Sequence, residues 1–219
     1  ISQWKWQHPL PQGNTLLNVQ FIDANQGWAV GVNGTIIHTG DGGASWTEQL
    51  YAATDQILSL SMYSATRGWA VGENGTILST TNGGDDWLDQ NGGIASALNA
   101  VTFLDSLNGW AGGDGEVIIH TSDGGSNWSL QSTGAPLGFI NGLAFPSLTN
   151  GWAVGSVRRI FHTTNGGANW TLQSSGPGGV SYLATTFVDS LLGFIVGTKG
   201  TIMRTDNGGV SWAAISSGT

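Results

Sequence analysis

Three of the four histidines, His38, His120 and His162, recur in one register, and imidazole is a common zinc ligand. Each directly precedes a Thr, and Ser79 and Arg204 fill the same position elsewhere in the chain. Zinc needs its ligands within about 2.1 Å of one ion. Equivalent residues on successive repeats lie well apart, so the repeat accounts for the three His and no metal site is assigned. His8 stands outside the register. The absence of Cys removes thiol catalysis, Cys-ligated zinc and a disulfide framework. The remaining candidates for chemistry are Arg67, Arg158, Arg159 and Arg204, Tyr51, Tyr63 and Tyr182, and Glu48, Glu73 and Glu116. No nucleophile elbow, phosphate loop or metal-ligand helix motif surrounds them. The reading is of a protein with no catalytic residue, no cofactor and no metal.

The composition narrows the class further. The 219 residues include 36 Gly and 11 Trp, only 9% are charged, and the net charge is −8. An acidic balance argues against nucleic acid and against anionic membrane, which favour basic patches. No apolar run reaches the roughly 20 residues needed to span a bilayer, so no membrane insertion is expected. A hydrophobic content of 39% separates the chain from one that cannot bury a core. At this length it can bury roughly 70% of its unfolded surface without a metal or disulfide staple. Ile1-Ser2-Gln3-Trp4 carries no signal peptide, so one was removed or never present. The lack of Cys, scarcity of Lys and Gly/Asn/Ser/Thr-rich repeats suit an extracellular or periplasmic bacterial protein.

The elements that must position these residues are repeated. Gly-Trp occurs at Gly27-Trp28, Gly68-Trp69, Gly109-Trp110 and Gly151-Trp152, with Gly193-Phe194 as the fifth copy, at spacings of 41, 41, 42 and 42. A second series, Trp46, Trp87, Trp128, Trp170 and Trp212, keeps the same spacings. Each unit reads as four short strands rich in β-branched and aromatic residues, bounded by Gly, Asn and Asp. Asn33-Gly34 and Asn74-Gly75 fall between strands two and three, where a two-residue hairpin needs positive φ; Lys199-Gly200 is a weaker version. Four strands at a period just over 40 mark propeller blades, which must stack to bury their faces. The expectation is an all-β, five-bladed β-propeller of four antiparallel strands per blade, one domain over residues 1–219, with units near 9–50, 51–91, 92–132, 133–174 and 175–216.

One strand is in surplus. Trp4-Lys5-Trp6-Gln7 matches the fourth-strand pattern Trp-x-x-Gln seen at Trp46 to Gln49, Trp87 to Gln90, Trp128 to Gln131 and Trp170 to Gln173. Residues 4–8 and residues 212–216 therefore compete for the outer edge of the last blade. Either the N-terminal strand closes that blade and 212–216 lie elsewhere, or it adds a fifth strand, or the ring is incomplete. An unpaired edge is a template for intermolecular pairing, which keeps self-association through the N-terminal strand open. A closed five-bladed ring is the expected form.

The loop from strand three to strand four reads Thr39-Gly-Asp41-Gly-Gly-Ala-Ser-Trp46, and its equivalents centre on Asn82, Asp123, Asn165 and Asn207. It resembles the Asp-box, or bacterial neuraminidase repeat, and the Gly-Trp-Ala-Val-Gly and Gly-Thr-Ile strands are most similar to the photosystem II assembly factor family of propellers. That family's propellers look seven-bladed. An Asp or Asn can hold a tight turn by bonding nearby amides, Gly-Gly permits positive φ, and Trp adds apolar area and an N–H. Asn replaces Asp in three of five copies, so the loop does not need the charge, and hard-cation sites want several carboxylate oxygens. Asp41, Asn82, Asp123, Asn165 and Asn207, with Trp46, Trp87, Trp128, Trp170 and Trp212, are read as structural. Asp-box propellers also include sialidases, and that resemblance implies an arginine triad, a Tyr–Glu nucleophile and an acid Asp; the Arg and Glu of this chain are not placed to form it.

Function should then sit where the units differ. The loops 9–15, 50–56, 91–97, 132–139 and 174–181 vary most, and propeller geometry puts them on the face of the strand-two-to-three hairpins. There Ser156-Val-Arg158-Arg159 brings the one adjacent basic pair, with Tyr51, Asp55 and Phe139 on the loops. Trp6, the Trp outside both repeat series, is a candidate sugar-stacking contact, or packs at ring closure. Asn33, Asn74, Asn127 and Asn169 head Asn-x-Ser/Thr triplets generated by the repeat itself, and no glycosylation is inferred. The reading is a non-catalytic binding or assembly scaffold docking a protein or a glycan. The alternatives are a structural subunit of a secreted assembly polymerising through its spare strand, and a glycoside hydrolase.

Overall fold

The computed structural model describes residues 13–49, 51, 54–134, 138–174 and 178–216. The extra strand expected at residues 4–8, and Trp6 with it, lies outside them. The described chain is all-β, in five four-stranded antiparallel sheets whose strands follow in sequence order. Blade one holds β1 (Leu16–Phe21), β2 (Gly27–Gly31), β3 (Ile36–Thr39) and β4 (Thr47–Gln49). Blade two holds β5 (Ile57–Met62), β6 (Gly68–Gly72), β7 (Ile77–Thr80) and β8 (Leu88–Asp89). Blade three holds β9 (Leu98–Phe103), β10 (Gly109–Gly113), β11 (Ile118–Thr121) and β12 (Ser129–Gln131). Blade four holds β13 (Ile140–Ala144), β14 (Gly151–Gly155), β15 (Arg159–Thr163) and β16 (Thr171–Ser174). Blade five holds β17 (Tyr182–Phe187), β18 (Gly193–Gly197), β19 (Ile202–Thr205) and β20 (Ala213–Ile215). This is the arrangement of a five-bladed β-propeller.

The repeated motifs explain the local geometry. In Gly-Trp-Ala-Val-Gly every residue is buried in blades one, two and four. The leading Gly is needed for close approach: a Cβ on Gly27 would meet the Phe21 ring at 2.6 Å, and one on Gly109, Gly151 or Gly193 would collide with Phe103, Phe145 or Phe187. The Trp points into the seam with the next blade. Trp28, Val30 and Ile36 of blade one pack with Ile57, Leu60, Met62 and Trp87 of blade two. Equivalent clusters fill the other three seams. The core is thus four inter-blade layers rather than one centre, as stacking of repeat units requires.

One alternative for the last blade is removed and one expectation about closure is corrected. The fourth strand of blade five is β20, paired with β19 through Ile202–Ile215 and Met203–Ala214, so residues 212–216 do not lie elsewhere. Among the described residues the expected closed ring is open. First strands of consecutive blades lie side by side from β1 through β5, β9 and β13 to β17, but β17 makes no comparable contact with β1 among the described residues. Each seam repeats one packing step, and four such steps do not carry blade five back onto blade one.

Candidate functional site

The Asp-box loops fasten each blade to the one before it. In blade one the Thr39 hydroxyl donates to Asp41 at 2.7 Å and accepts from the Gly43 amide at 2.9 Å; the Asp41 carboxylate also accepts from the Ser45 amide at 2.8 Å. Asn82 does the same in blade two, accepting from the Thr80 hydroxyl and the Asp86 amide through Oδ1. The loop therefore uses one carbonyl-like oxygen, and the charge is optional. The second side-chain atom pairs with whatever lies four residues on. Asp41 and Asp123 accept from Ser45 and Asn127, whereas Asn82 and Asn207 donate to Asp86 and Ser211. Side-chain hydrogen bonds from Ser45 hold Asp41 down at about 2, and those from Asn127 lower Asp123 below its usual value.

The turn exposes a carbonyl to the preceding blade. The Gly83 carbonyl accepts from Trp28 Nε1 at 2.9 Å and Gln49 Nε2 at 2.8 Å. Gly124 accepts from Trp69 and Gln90, and Gly166 from Trp110 and Gln131. The Gln of Trp-x-x-Gln is thus a seam residue, and its oxygen accepts from the next blade's Asp-box Trp, as in Trp87 to Gln49 and Trp170 to Gln131.

The repeated histidines lie against the same Trp rings. Trp28–His38, Trp110–His120 and Trp152–His162 have centroids 4.6, 4.8 and 4.4 Å apart. Burial lowers the pKa of all three, with Asp85 partly opposing it at His38. In blade two, where Ser79 replaces His, the Arg67 guanidinium sits 5.4 Å from the Trp69 ring. No group of three His, Cys, Asp or Glu among the described residues is placed to hold a metal ion.

With the scaffold so fixed, the variable loops meet the hairpins on one face. The Gly34 amide donates to the Asp55 carbonyl, Glu116 to Gly138, and Ser156 to Phe139. The candidate residues divide between two places. Asp55 accepts from Asn74 Nδ2 at 3.0 Å, and Tyr51 donates to Asp89 at 2.7 Å, with burial first and Asp89 second raising its pKa. Both are tied into the joint of blades one and two. Phe139, Arg158 and Arg159 gather instead at the corner of blades three and four.

That corner is built against backbone preference. Its hairpin places Val157 at φ 56° and Arg158 at φ 61°, whereas the equivalent turns use Asn33-Gly34, Asn74-Gly75, Gly115-Glu116 and Lys199-Gly200. It is the one turn of the five with neither Gly nor Asn, and positive φ in a β-branched residue is a genuine outlier. Left-handed geometry costs roughly 1–2 kcal/mol per residue. The strained turn presents Val157, 67% exposed, and the exposed Arg158 beside Phe139, 50% exposed. Beneath them Arg159 pairs with Glu116, whose carboxylate is buried. A Cβ on Gly138 would crowd this pair, which explains the glycine beside it. Glu116, weighed in the sequence only as a catalytic carboxylate, is instead the buried partner of Arg159. The signal was a Glu at a left-handed position where three other blades carry Gly.

Comparison with known proteins places this architecture. The family model described as "Photosynthesis system II assembly factor YCF48" matches residues 1–92 and 51–138. The photosystem II assembly protein Ycf48 of Thermosynechococcus vestitus is 51% identical over 37 residues, 17% of this chain and 11% of that protein. The chain thus aligns with only about a tenth of that relative's length. A solved structure titled "YCF48 bound to D1 peptide" is 24% identical, with a TM-score of 0.74, covering 94% of this chain and 70% of that one. The GH74 xyloglucanase from Xanthomonas campestris is 12% identical, with a TM-score of 0.68, covering 89% of this chain and 37% of that one. At these identities the two structures show a shared propeller fold.

Proposed function

Because this chain belongs to the photosystem II assembly factor family, we propose that it is a non-catalytic assembly propeller that docks a protein segment at the corner formed by Phe139, Val157 and Arg158. The observation that carries the reading is the strained hairpin. Backbone strain of this kind persists where the surroundings over-determine it, and it clusters at ligand clamps and switch regions. Here it lifts an apolar side chain and a guanidinium beside an exposed Phe, the aromatic-plus-Arg combination enriched in energetic centres of protein interfaces. The pair of the half-buried Arg159 with the buried Glu116 acts as the support that positions the turn.

The peptide class of ligand is suggested by the solved relative that holds a D1 peptide. The hydrolase alternative has less behind it. Glu48 lies on an outer strand, Glu73 accepts from Gln56, and Glu116 is spent on Arg159. A location outside the cytoplasm goes with the same reading.

The test is calorimetric titration of the chain with a D1 peptide, repeated for Arg158→Ala and Phe139→Ala. Saturable binding weakened about tenfold or more by either substitution supports the reading, since a hot-spot residue costs upwards of 1.4 kcal/mol. Binding that both variants retain in full moves the site elsewhere, and no binding by the unaltered chain overturns the partner class.

A further inference from the structure

At the end of the blades opposite the hairpins, the seam between blades three and four holds a cavity of about 500 Å³. Asn108, Trp110, His120 and the edge strand β12 line it from blade three, and Leu148 and Asn165 line it from blade four. In the two preceding seams a long side chain of the blade itself takes the matching position, which is the residue before the strand-two Gly. In blade one it is Gln26, whose carboxamide oxygen lies 2.8 Å from His38 Nε2. In blade two it is Arg67, which lies over the Trp69 ring and reaches the place a Cβ on Gly124 would occupy in the next Asp-box. In blade three it is Asn108, one carbon shorter than Gln. Its amide is drawn back onto the Asp105 carboxylate at 2.9 Å, and the imidazole beside it is left uncovered.

The cavity wall keeps two donors in hand. The His120 ring makes no hydrogen bond among the described residues, whereas His38 has Gln26. Asn165 Oδ1 accepts from the Thr163 hydroxyl and the Asn169 amide, but Nδ2 has no partner among the described residues. Its equivalents Asn82 and Asn207 donate to Asp86 and Ser211. An occupant must therefore bring an acceptor oxygen. No Lys or Arg lines the cavity, and the Asp105 carboxylate stands beside Asn108. A carboxylate brought in would lose water without gaining a countercharge, which is costly. A neutral carbonyl oxygen has no such penalty, and a carboxamide is the group blade one itself uses. We propose that this cavity is a subsite for the glutamine side chain of a docked polypeptide, which takes the place of the arm that blade three lacks. Leu130 and Leu148, 68% and 50% exposed, offer apolar contact to the chain that carries it. The subsite lies at the other end of the blades from Phe139, Val157 and Arg158 and does not depend on peptide binding there.

The test is NMR titration of the full chain at neutral pH with acetyl-Gly-Gln-Gly-amide, reading the His120 imidazole and Trp110 indole signals. The same peptide with Glu for Gln, and methyl glucoside, are titrated beside it. Expected are saturable shifts of both rings with the Gln peptide and binding about tenfold weaker or more with the Glu peptide. Asn108→Gln gives blade three the arm of blade one. It should fill the cavity from within and weaken binding of the Gln peptide by about tenfold or more. Equal response to the two peptides, response to the glucoside alone, or no shift at either ring overturns the proposal. Undiminished binding by Asn108→Gln does so as well. If that variant fails to fold, His120→Ser decides, because it removes the ring donor and copies Ser79 of blade two. Weakened binding by His120→Ser supports the subsite, and affinity retained in full overturns it.

Discussion

Gln49 of blade one accepts the indole N–H of Trp87 in blade two at 3.2 Å, while its own amide donates to the Gly83 carbonyl at 2.8 Å. One side chain thus reads both ends of a neighbouring Asp-box. Trp-x-x-Gln and the Asp-box, separate motifs along the chain, are two sides of one joint.

Removing that clasp should cost more than a surface hydrogen bond. Gln49→Ala leaves the N–H of the buried Trp87 without its acceptor, and a buried unsatisfied group costs about 1–3 kcal/mol. Urea unfolding should show a loss in that range. Glu48→Ala, on the adjacent exposed position, should stay within about 0.5 kcal/mol.

The same joint explains a glycine. Gly84 lies at φ 97°, and a Cβ there would strike the Gln49 amide group. Gly84→Ala should destabilise through both effects, and only the collision should be relieved by Gln49→Ala. A double-mutant cycle should therefore give a coupling within the roughly 0.5–3 kcal/mol found for contacting residues. Additive penalties would mean that the two do not meet.

The Asp-box pairs should behave as units. Asp123 accepts from the Asn127 amide at 2.7 Å, and blade two reverses the roles, with Asn82 donating to Asp86. Asp123→Asn alone should lose about 0.5–1.5 kcal/mol, the net worth of a typical hydrogen bond. Adding Asn127→Asp should restore most of it by copying blade two.

The histidines give the stability a pH dependence of known sign. Burial holds His38, His120 and His162 below 6.5, so between that value and their folded pKa values the unfolded chain binds more protons. Stability should fall as the pH drops through 6.5 and level off below the folded values. Replacing all three with Ser, as blade two has at Ser79, should lower the starting midpoint but flatten this slope in thermal melts. A separate loss should follow as the pH falls through 3.8 toward 2, because the lowered carboxyls of Asp41 and Asp123 then become protonated.

Much of the fold was legible because it is written five times. The recurring Gly-Trp and Asp-box positions identify blades and their order without any three-dimensional information. Closure was not legible, because it depends on the rotation between neighbouring blades, and no residue pattern states an angle. The Gln of Trp-x-x-Gln likewise reads as a strand ending until Gly83 and Trp87 are seen beside it. The candidate face was partly legible. Arg158 and Arg159 stood out as a basic pair, yet only the structure separates Arg158, which is exposed, from Arg159, which is paired with Glu116. Tyr51 and Asp55 were grouped with them in the sequence, and their hydrogen bonds tie these two into the blade one–two joint.

The central claim, that the strained hairpin of blade four is held for docking rather than for stability, is tested most directly by Val157→Asn with Arg158→Gly. This pair gives the turn the Asn-Gly sequence its left-handed geometry favours. The account predicts a chain more stable by about 1–2 kcal/mol whose affinity for the proposed peptide partner falls by about tenfold or more. A variant that is more stable and binds as tightly as the original would contradict it.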